Sequence, residues 1–348
     1  MTDKTTNEMR YNPVSGDWVI YATARGARPD EMQPRAGSGS PASTHEPSCP
    51  FCPGNEHMLP GILLELGSEA GGWKVRVVPN RYPALTPEGN CTETPDGVYR
   101  VMQGIGRHEV IIESPHHDRP IGSLTPAEAR FVIEAYHRRY RDLAAGTGIR
   151  TVFVFRNHGV RAGTSLLHPH SQIIATPVVT QSMRTRRRQA LTHVKASGRC
   201  LFCQISEEEV RAGRRIVFQN DHFVGFVPYA AETPCETWIV PRVHRADFGD
   251  ISEDARTGLA DALQSVLARI RETLNDPDYN FVIHSVPFAD ALEAPALHWY
   301  VQIQPRLTTP AGFEMGSGIR INPSLPEADA AFLRGEVARP GQDRSFGP

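Results

Sequence analysis

The sequence lacks both a long apolar run and a strong excess of charge of one sign. No segment approaches the roughly 18 consecutive apolar residues of a membrane span, and the N-terminal stretch MTDKTTNEMRYNP contains no apolar signal core. The net charge is -2, with 22% charged and 40% apolar residues, which is typical of soluble globular proteins. We therefore expect a cytoplasmic protein that contacts neither nucleic acid nor membrane.

Cysteine is also scarce, at six of 348 residues. Four of the six form two C-x-x-C pairs, at positions 49 and 52 and at positions 200 and 203. In a cytosolic protein this spacing favours metal binding over disulfides. The other two, Cys91 and Cys235, have no partner in the pattern and are expected to be ordinary buried or loop cysteines.

Apolar periodicity indicates a mixture of strands and helices. The β-branched runs at residues 110–114, 151–155 and 172–177 predict strands. Two long amphipathic helices are predicted to begin at Thr125, where Glu128 completes a capping box, and at Ser252. Residues 30–48 are rich in Pro, Gly and Ser and predict a loop. The class is therefore α+β.

The chain contains an internal repeat. Residues 109–125 align without a gap over residues 236–252, which pairs Glu109 with Glu236 and His117 with His244. Each half opens with a C-x-x-C pair, continues through the aligned histidine and a helix, and closes on a strand, HPHSQ (168–172) or HWYVQ (298–302). We predict a duplication with an N-terminal domain at 1–180, a C-terminal domain at 181–335 and a tail at 336–348.

Each half also contains four candidate metal ligands. A zinc site needs four nitrogen or sulfur ligands in a tetrahedron. The two candidate sets are Cys49, Cys52, His117 and His168, and Cys200, Cys203, His244 and His298. His116 is an alternative to its neighbour His117. Because four protein ligands leave no open position, we expect two structural zinc ions per chain; the alternative is that the pairs are incidental.

The closing strands differ at their central residue. Side chains alternate along a strand, so His168, His170 and Gln172 share one face. The second half has Tyr300 at the position of His170. An imidazole is a nucleophile near neutral pH when its other nitrogen is held as a donor, so the first half is predicted to be chemically competent and the second degenerate.

The segment NHGVRAGTSLLHPHSQ (157–172) resembles the active-site segment of galactose-1-phosphate uridylyltransferases of the histidine-triad superfamily. The two halves resemble the two fused histidine-triad domains of that family, over most of residues 8–320. The resemblance implies antiparallel sheets with flanking helices related by a pseudo-twofold axis, and a homodimer. It also implies that His170 is the nucleophile and that His168 binds zinc.

The same resemblance implies a nucleotide site. Its residues are Arg25 and Arg28 near the nucleotide sugar, Asn80 and Tyr82 around base and ribose, Gly163 in a phosphate-facing turn, and Asn157, Ser165 and Gln172 on the phosphates, the last two acting with His170. Ser171 replaces the usual glycine and is predicted to add a hydroxyl near the phosphate. The alternative for the two arginines is a solvated surface pair.

The implied reaction is a double displacement from a nucleoside diphosphate sugar, with a sugar 1-phosphate or phosphate as acceptor. The main hypothesis is a UDP-glucose:hexose-1-phosphate uridylyltransferase. Residues 312–323 lack the lysine and the tyrosine-glutamate pair of typical members, and the second C-x-x-C pair resembles the plant branch, which favours an ADP-glucose phosphorylase as the alternative. A non-catalytic, zinc-stabilised nucleotide-binding protein is a third hypothesis. A hydrolase is disfavoured because Gln172 cannot relay a proton.

Overall fold

The predicted β-branched runs form strands, and the two capped segments form the longest helices. The computed structural model describes residues 7–27, 43–68, 72–286 and 292–337. The strands are β1 (Glu8–Tyr11), β2 (Trp18–Tyr21), β3 (Leu64–Ser68), β4 (Gly72–Pro79), β5 (Thr94–Asp96), β6 (Tyr99–Val101), β7 (Arg107–Ile112), β8 (Thr151–His158), β9 (His170–Thr176), β10 (Ile216–Gln219), β11 (Phe223–Phe226), β12 (Thr237–Pro241), β13 (Tyr279–His284), β14 (Tyr300–Pro305) and β15 (Arg320–Asn322). The helices are α1 (Pro126–Ala144), α2 (Gln181–Ser197), α3 (Leu201–Ala212), α4 (Glu253–Leu274), α5 (Gly312–Ser317) and α6 (Pro326–Leu333).

Ten of the strands form one continuous sheet in the order β10-β11-β12-β14-β13-β8-β9-β7-β4-β3. All neighbouring pairs in it are antiparallel. The order is symmetric about the β8–β13 pair, so each first-half strand in this sheet has a second-half counterpart in the same sheet. The α+β class and the pseudo-twofold arrangement are confirmed, while the domain boundaries at 180 and 335 stay a prediction because the sheet and the main core run through both halves.

Helices α1 and α4 pack against each other over the sheet. The side chain of Thr125 accepts from the amide of Glu128, and the carboxylate of Glu128 accepts from the amide of Thr125, which is the predicted capping box. Helix α4 is capped by Ser252, whose side chain accepts from the amide of Ala255. Gly122 lies against α4, where a Cβ would come within 2.9 Å of the Leu267 carbonyl carbon, so no larger residue fits without moving the helix.

The remaining segments lie outside this framework. Residues 30–42 of the predicted loop and residues 338–348 of the predicted tail fall outside the described residues. Helix α2 carries the basic stretch 184–189 and buries only Ala190 among its described residues. None of the helices in the described part of the chain is long and apolar enough to span a membrane.

Candidate active site and metal clusters

The first set of predicted metal ligands converges in the structure. The Sγ atom of Cys52 lies 3.5 Å from Nδ1 of both His117 and His168, and Sγ of Cys49 lies 3.7 Å from Nδ1 of His168. Zn–S bonds of about 2.3 Å and Zn–N bonds of about 2.0 Å at tetrahedral angles separate sulfur and nitrogen by about 3.5 Å. The cluster can therefore hold one such ion, and it contains His117 rather than its neighbour His116.

The second set converges with the same spacing. Sγ of Cys203 lies 3.4 Å from Nδ1 of His244 and 3.6 Å from Nδ1 of His298, and Cys200 completes the cluster. In both halves the other ring nitrogen hydrogen-bonds a backbone carbonyl, as at His168 with Ser114 (2.8 Å) and at His244 with Ala294 (3.0 Å). These bonds leave Nδ1 free to bind a metal ion.

The electrostatics of the first cluster suit a metal site. Burial lowers the pKa of His168 to about 4, so the imidazole is neutral at pH 7 and able to ligate. Burial raises the pKa of the Cys49 thiol to about 11, so this thiol keeps its proton until a metal ion displaces it. Metal binding at this cluster is thus coupled to proton release.

His170 is the first residue of β9 and its side chain is buried. Its Nδ1 donates to the backbone carbonyl of His168 at 2.8 Å, and no described residue hydrogen-bonds its Nε2. Burial lowers the pKa of His170, which favours the neutral imidazole. The ring of Phe51 packs at 64° to it, with centroids 5.5 Å apart. His170 therefore combines a fixed tautomer with a free, neutral Nε2 lone pair, as a nucleophile requires.

Gln172 is held by a residue that carries no sequence motif. Nε2 of His108, on the neighbouring strand β7, lies 2.7 Å from Oε1 of Gln172, and Nδ2 of Asn80 lies 3.1 Å from the same ring nitrogen. Among the predicted residues, His170, Gln172 and Asn80 are thereby brought to one region. No sequence pattern identifies His108 as a site residue. Its position follows only from the pairing of β7 with β9, in which His108 is opposite Ile174.

The other predicted nucleotide contacts differ in their burial and in their local partners. Asn157 lies near the end of β8 and accepts from Nδ2 of Asn280 at 2.8 Å. Gly163 ends the turn Val160–Ala162 in a left-handed conformation, with φ of 93°. Ser165 is exposed and Tyr82 is 81% exposed. Arg25 lies in the 3-10 turn Thr23–Ala27, and Arg28 falls outside the described residues, so the roles of these side chains stay predictions.

The prediction for Ser171 is wrong. Its side chain is fully buried, and its Oγ donates to Oε1 of Glu113 at 2.5 Å and lies 2.5 Å from Oη of Tyr136. The alternation of side chains along β9 places Ser171 on the sheet face opposite His170 and Gln172. Its hydroxyl therefore points away from the predicted phosphate position.

The second half keeps the framework and replaces the nucleophile. Tyr300 is 2% exposed and packs on Phe202, with ring centroids 4.6 Å apart. Beside it is a cavity of about 40 Å³ that is also lined by Arg186 and His284. The guanidinium of Arg186 donates to Nδ1 of His284 at 2.9 Å, so His284 both lines a cavity and satisfies a hydrogen bond.

The strand registers correct the gapless alignment by one residue. Val110 is opposite Gln172 in the first half, whereas Trp238 is opposite Gln302 in the second. Glu236 is consequently the structural counterpart of His108, not of Glu109. It accepts from Nε2 of Gln302 at 2.7 Å, whereas in the first half Nε2 of His108 donates to Oε1 of Gln172.

Comparison with known proteins assigns these two matched halves to a class of nucleotidyltransferases. The model of the galactose-1-phosphate uridyl transferase N-terminal domain matches residues 1–180, and that of the C-terminal domain matches residues 184–316. The chain belongs to the galactose-1-phosphate uridyl transferase family.

Relatives named for two activities match nearly the whole chain. An ADP-glucose phosphorylase from Arabidopsis thaliana is 35% identical, over 94% of this chain and 92% of the relative. A galactose-1-phosphate uridylyltransferase from Thermotoga maritima is 28% identical, over 94% of this chain and 98% of the relative. The crystal structure of an Arabidopsis thaliana ADP-glucose phosphorylase with bound ADP-glucose aligns with a TM-score of 0.81 at 32% identity, covering 95% of this chain and 98% of that one.

Proposed function

We propose that the chain transfers a nucleotidyl group from a nucleoside diphosphate sugar through a covalent bond to Nε2 of His170. The observation that carries this proposal is the hydrogen bond from Nδ1 of His170 to the carbonyl of His168. It fixes the tautomer in which Nε2 bears the lone pair. Burial favours the neutral form of the ring, so the nucleophile needs no separate base.

The reaction proceeds in two displacements. Nε2 of His170 attacks the α-phosphorus, and the bond from that phosphorus to the bridging oxygen breaks, which releases the sugar 1-phosphate. The Nδ1 proton stays on the ring, and its hydrogen bond to the carbonyl of His168 strengthens as positive charge develops on the ring. A phosphate oxygen of the acceptor then attacks the same phosphorus, the P–N bond breaks, and the neutral imidazole returns.

ADP-glucose as donor and inorganic phosphate as acceptor have the strongest support. The identity to the Arabidopsis thaliana ADP-glucose phosphorylase is 35%, against 28% to the Thermotoga maritima uridylyltransferase. The segment at 312–323 also has neither a lysine nor a tyrosine-glutamate pair, which are the groups implied for holding the hexose phosphate. The phosphate acceptor of a phosphorylase carries no sugar, so the acceptor step makes no use of such groups.

The second candidate is a uridylyltransferase that uses UDP-glucose and a hexose 1-phosphate. It is supported by the match of both family models across residues 1–180 and 184–316. A non-catalytic nucleotide-binding role is the weakest candidate, since the first half keeps His170 while the second half, with Tyr300, illustrates what its loss looks like.

We also propose that each of the two clusters binds one zinc ion. Two cysteine and two histidine ligands at tetrahedral spacing suit zinc, and four protein ligands leave no position for substrate. The residues of the first cluster hold the segment that leads into β9, so zinc would stabilise the position of His170 rather than act on the phosphate. We further propose a cytoplasmic homodimer.

Mass spectrometry of the intact protein and of its peptides tests the covalent step. The protein is incubated separately with ADP-glucose and with UDP-glucose, then with phosphate or a hexose 1-phosphate. We expect AMP on the peptide that contains His170, none on the peptide that contains Tyr300, and discharge of the AMP by phosphate. UMP alone, discharged by a hexose 1-phosphate, would support the second candidate. Absence of both nucleotides from His170 would contradict the proposal.

A further inference from the structure

Four buried polar residues lie directly behind the strand that carries His170. They are Glu113, Tyr136, Arg156 and Ser171, here called the rear network, and each is at most 2% exposed. One carboxylate oxygen of Glu113 accepts from Ser171 at 2.5 Å and from Tyr136 at 3.3 Å. The other is paired with the guanidinium of Arg156. The network therefore neutralises its own charge away from solvent.

The rear network contacts both residues that flank His170. The amide of Glu113 donates to the carbonyl of Pro169 at 3.2 Å, and the side chain of the same residue binds the hydroxyl of Ser171. The ring of His170 is in turn held by the carbonyl of His168. The orientation of the imidazole thus depends on a short backbone segment that Glu113 fixes before and after the nucleophile.

The second half provides an internal control, because the same strands pack there without these charges. Arg156 is opposite Ser171 between β8 and β9, and the equivalent pair between β13 and β14 is Ile283 and Val301. Ile283 and Val301 are at most 1% exposed and belong to the main apolar core. The fold therefore forms with apolar residues at these positions.

Stability does not account for the network. Removing two charges from water costs several kcal/mol each, and replacing a buried ion pair with packed apolar residues is often neutral or stabilising by about 1–4 kcal/mol. The second half already has that apolar arrangement. The network occurs instead in the half that has a histidine at the central strand position.

We propose that Ser171 and Glu113 are positioning residues that hold His170 in line with the α-phosphorus. This inference rests on the proposed nucleotidyl transfer. Attack by Nε2 requires near-linear alignment with the breaking bond in both half-reactions, and small displacements of a reacting group cost large factors in rate. Because Ser171 faces away from the substrate, its loss changes alignment and leaves nucleotide binding nearly unchanged.

Ser171→Ala tests the inference, with Val301→Ala as the matched control at the equivalent, equally buried position. Rapid-quench measurement of nucleotidyl-His170 formation from ADP-glucose should give a rate constant that is lower by roughly tenfold or more in Ser171→Ala. The dissociation constant for ADP-glucose should stay within about twofold of that of the unmodified chain. Val301→Ala should lower the melting temperature and leave the labelling rate near that of the unmodified chain.

A second readout needs no turnover. The ¹⁵N NMR spectrum of the histidine-labelled, metal-loaded protein reports the tautomer of His170, and we expect only the Nδ1–H form in the unmodified chain and a mixture in Ser171→Ala. Equal labelling rates, equal tautomer populations, or a rate loss matched by Val301→Ala would each overturn the positioning role. Failure of the unmodified chain to accept any nucleotide would instead contradict the proposed function, while the NMR comparison would still decide the inference.

Discussion

The two halves of the sheet share strand order, a metal-ligand cluster and a glutamine on the closing strand, yet they differ around one residue. His170 has a free Nε2 and a buried polar network behind it, whereas Tyr300 is packed among aromatic rings with apolar residues behind it. The features that both halves share belong to the common framework. The features that only the first half contains are the ones that the proposed chemistry uses.

The halves also differ in how their equivalent strand faces are covered. In the second half, α2 brings Arg186 over the strand, and its guanidinium binds His284 beside Tyr300. The remaining cavity of about 40 Å³ holds only a few water-sized groups. A nucleotide is too large for this space, so the second half is degenerate in shape as well as in its central residue.

Replacing the central residue of a closing strand should give the largest difference in activity between the two halves. His170→Ala removes the atom that forms the P–N bond, and we expect nucleotidyl transfer to fall by at least about 10⁴-fold. Tyr300→Phe should retain activity within about twofold, because the ring keeps its packing. Steady-state assays with ADP-glucose and phosphate measure both. Comparable losses in the two variants would mean that the halves are not divided as proposed.

Replacing one cysteine in each cluster should distinguish the roles of the two candidate metal sites. Cys49→Ser and Cys200→Ser are each expected to lower the zinc content from two ions per chain to one, as measured by elemental analysis. Cys49→Ser should lose at least about tenfold more activity, because its cluster includes His168, whose carbonyl orients His170. Full zinc retention in either variant, or equal activity losses, would contradict this assignment.

The smallest expected effect on activity concerns Glu236, the counterpart of His108, whose ionisation changes stability instead. Burial, followed by the nearby charge of Glu232, raises the pKa of Glu236 to about 7. Because the folded state binds this proton more tightly than the unfolded state, its contribution to stability is full below about pH 4.5 and declines up to about pH 7. Over this pH range the contribution of Glu236 to the free energy of unfolding declines by on the order of 3 kcal/mol.

Glu236→Gln cannot ionise, so its free energy of unfolding should fall less between pH 4.5 and pH 8 than that of the unmodified chain. Urea titrations at both pH values measure the difference. Glu208→Gln, which changes an exposed carboxylate, serves as the control and should follow the unmodified chain. Parallel pH profiles for Glu236→Gln and the unmodified chain would show that Glu236 ionises normally.

Local sequence patterns were sufficient for much of this protein. The caps at Thr125 and Ser252 are governed by hydrogen bonds over a few residues, so they were predictable from the sequence. The repeated spacing of cysteine and histidine also predicted both metal clusters, because two matched sets rarely arise by chance. The α+β class followed from apolar periodicity, the duplication from the same repeat, and the pseudo-twofold axis from the family resemblance.

The errors arose where the partner of a residue is distant in the chain. Side-chain alternation already places Ser171 opposite His170, but the family pattern suggested a phosphate contact instead. The gapless alignment matched Glu236 to Glu109 because it could not register a one-residue shift between paired strands. Such a shift reverses the face on which a side chain lies.

The sequence by itself determined the position of His170 on a strand, the members of both cysteine–histidine clusters and the difference between the two halves at Tyr300. Periodicity and short-range hydrogen bonding encode these features locally. Only the tertiary structure decided that His108 holds Gln172 and that Glu113 fixes the backbone around the nucleophile. Those contacts depend on which strands pair and in which register, and pairing is set by the packing of the whole sheet.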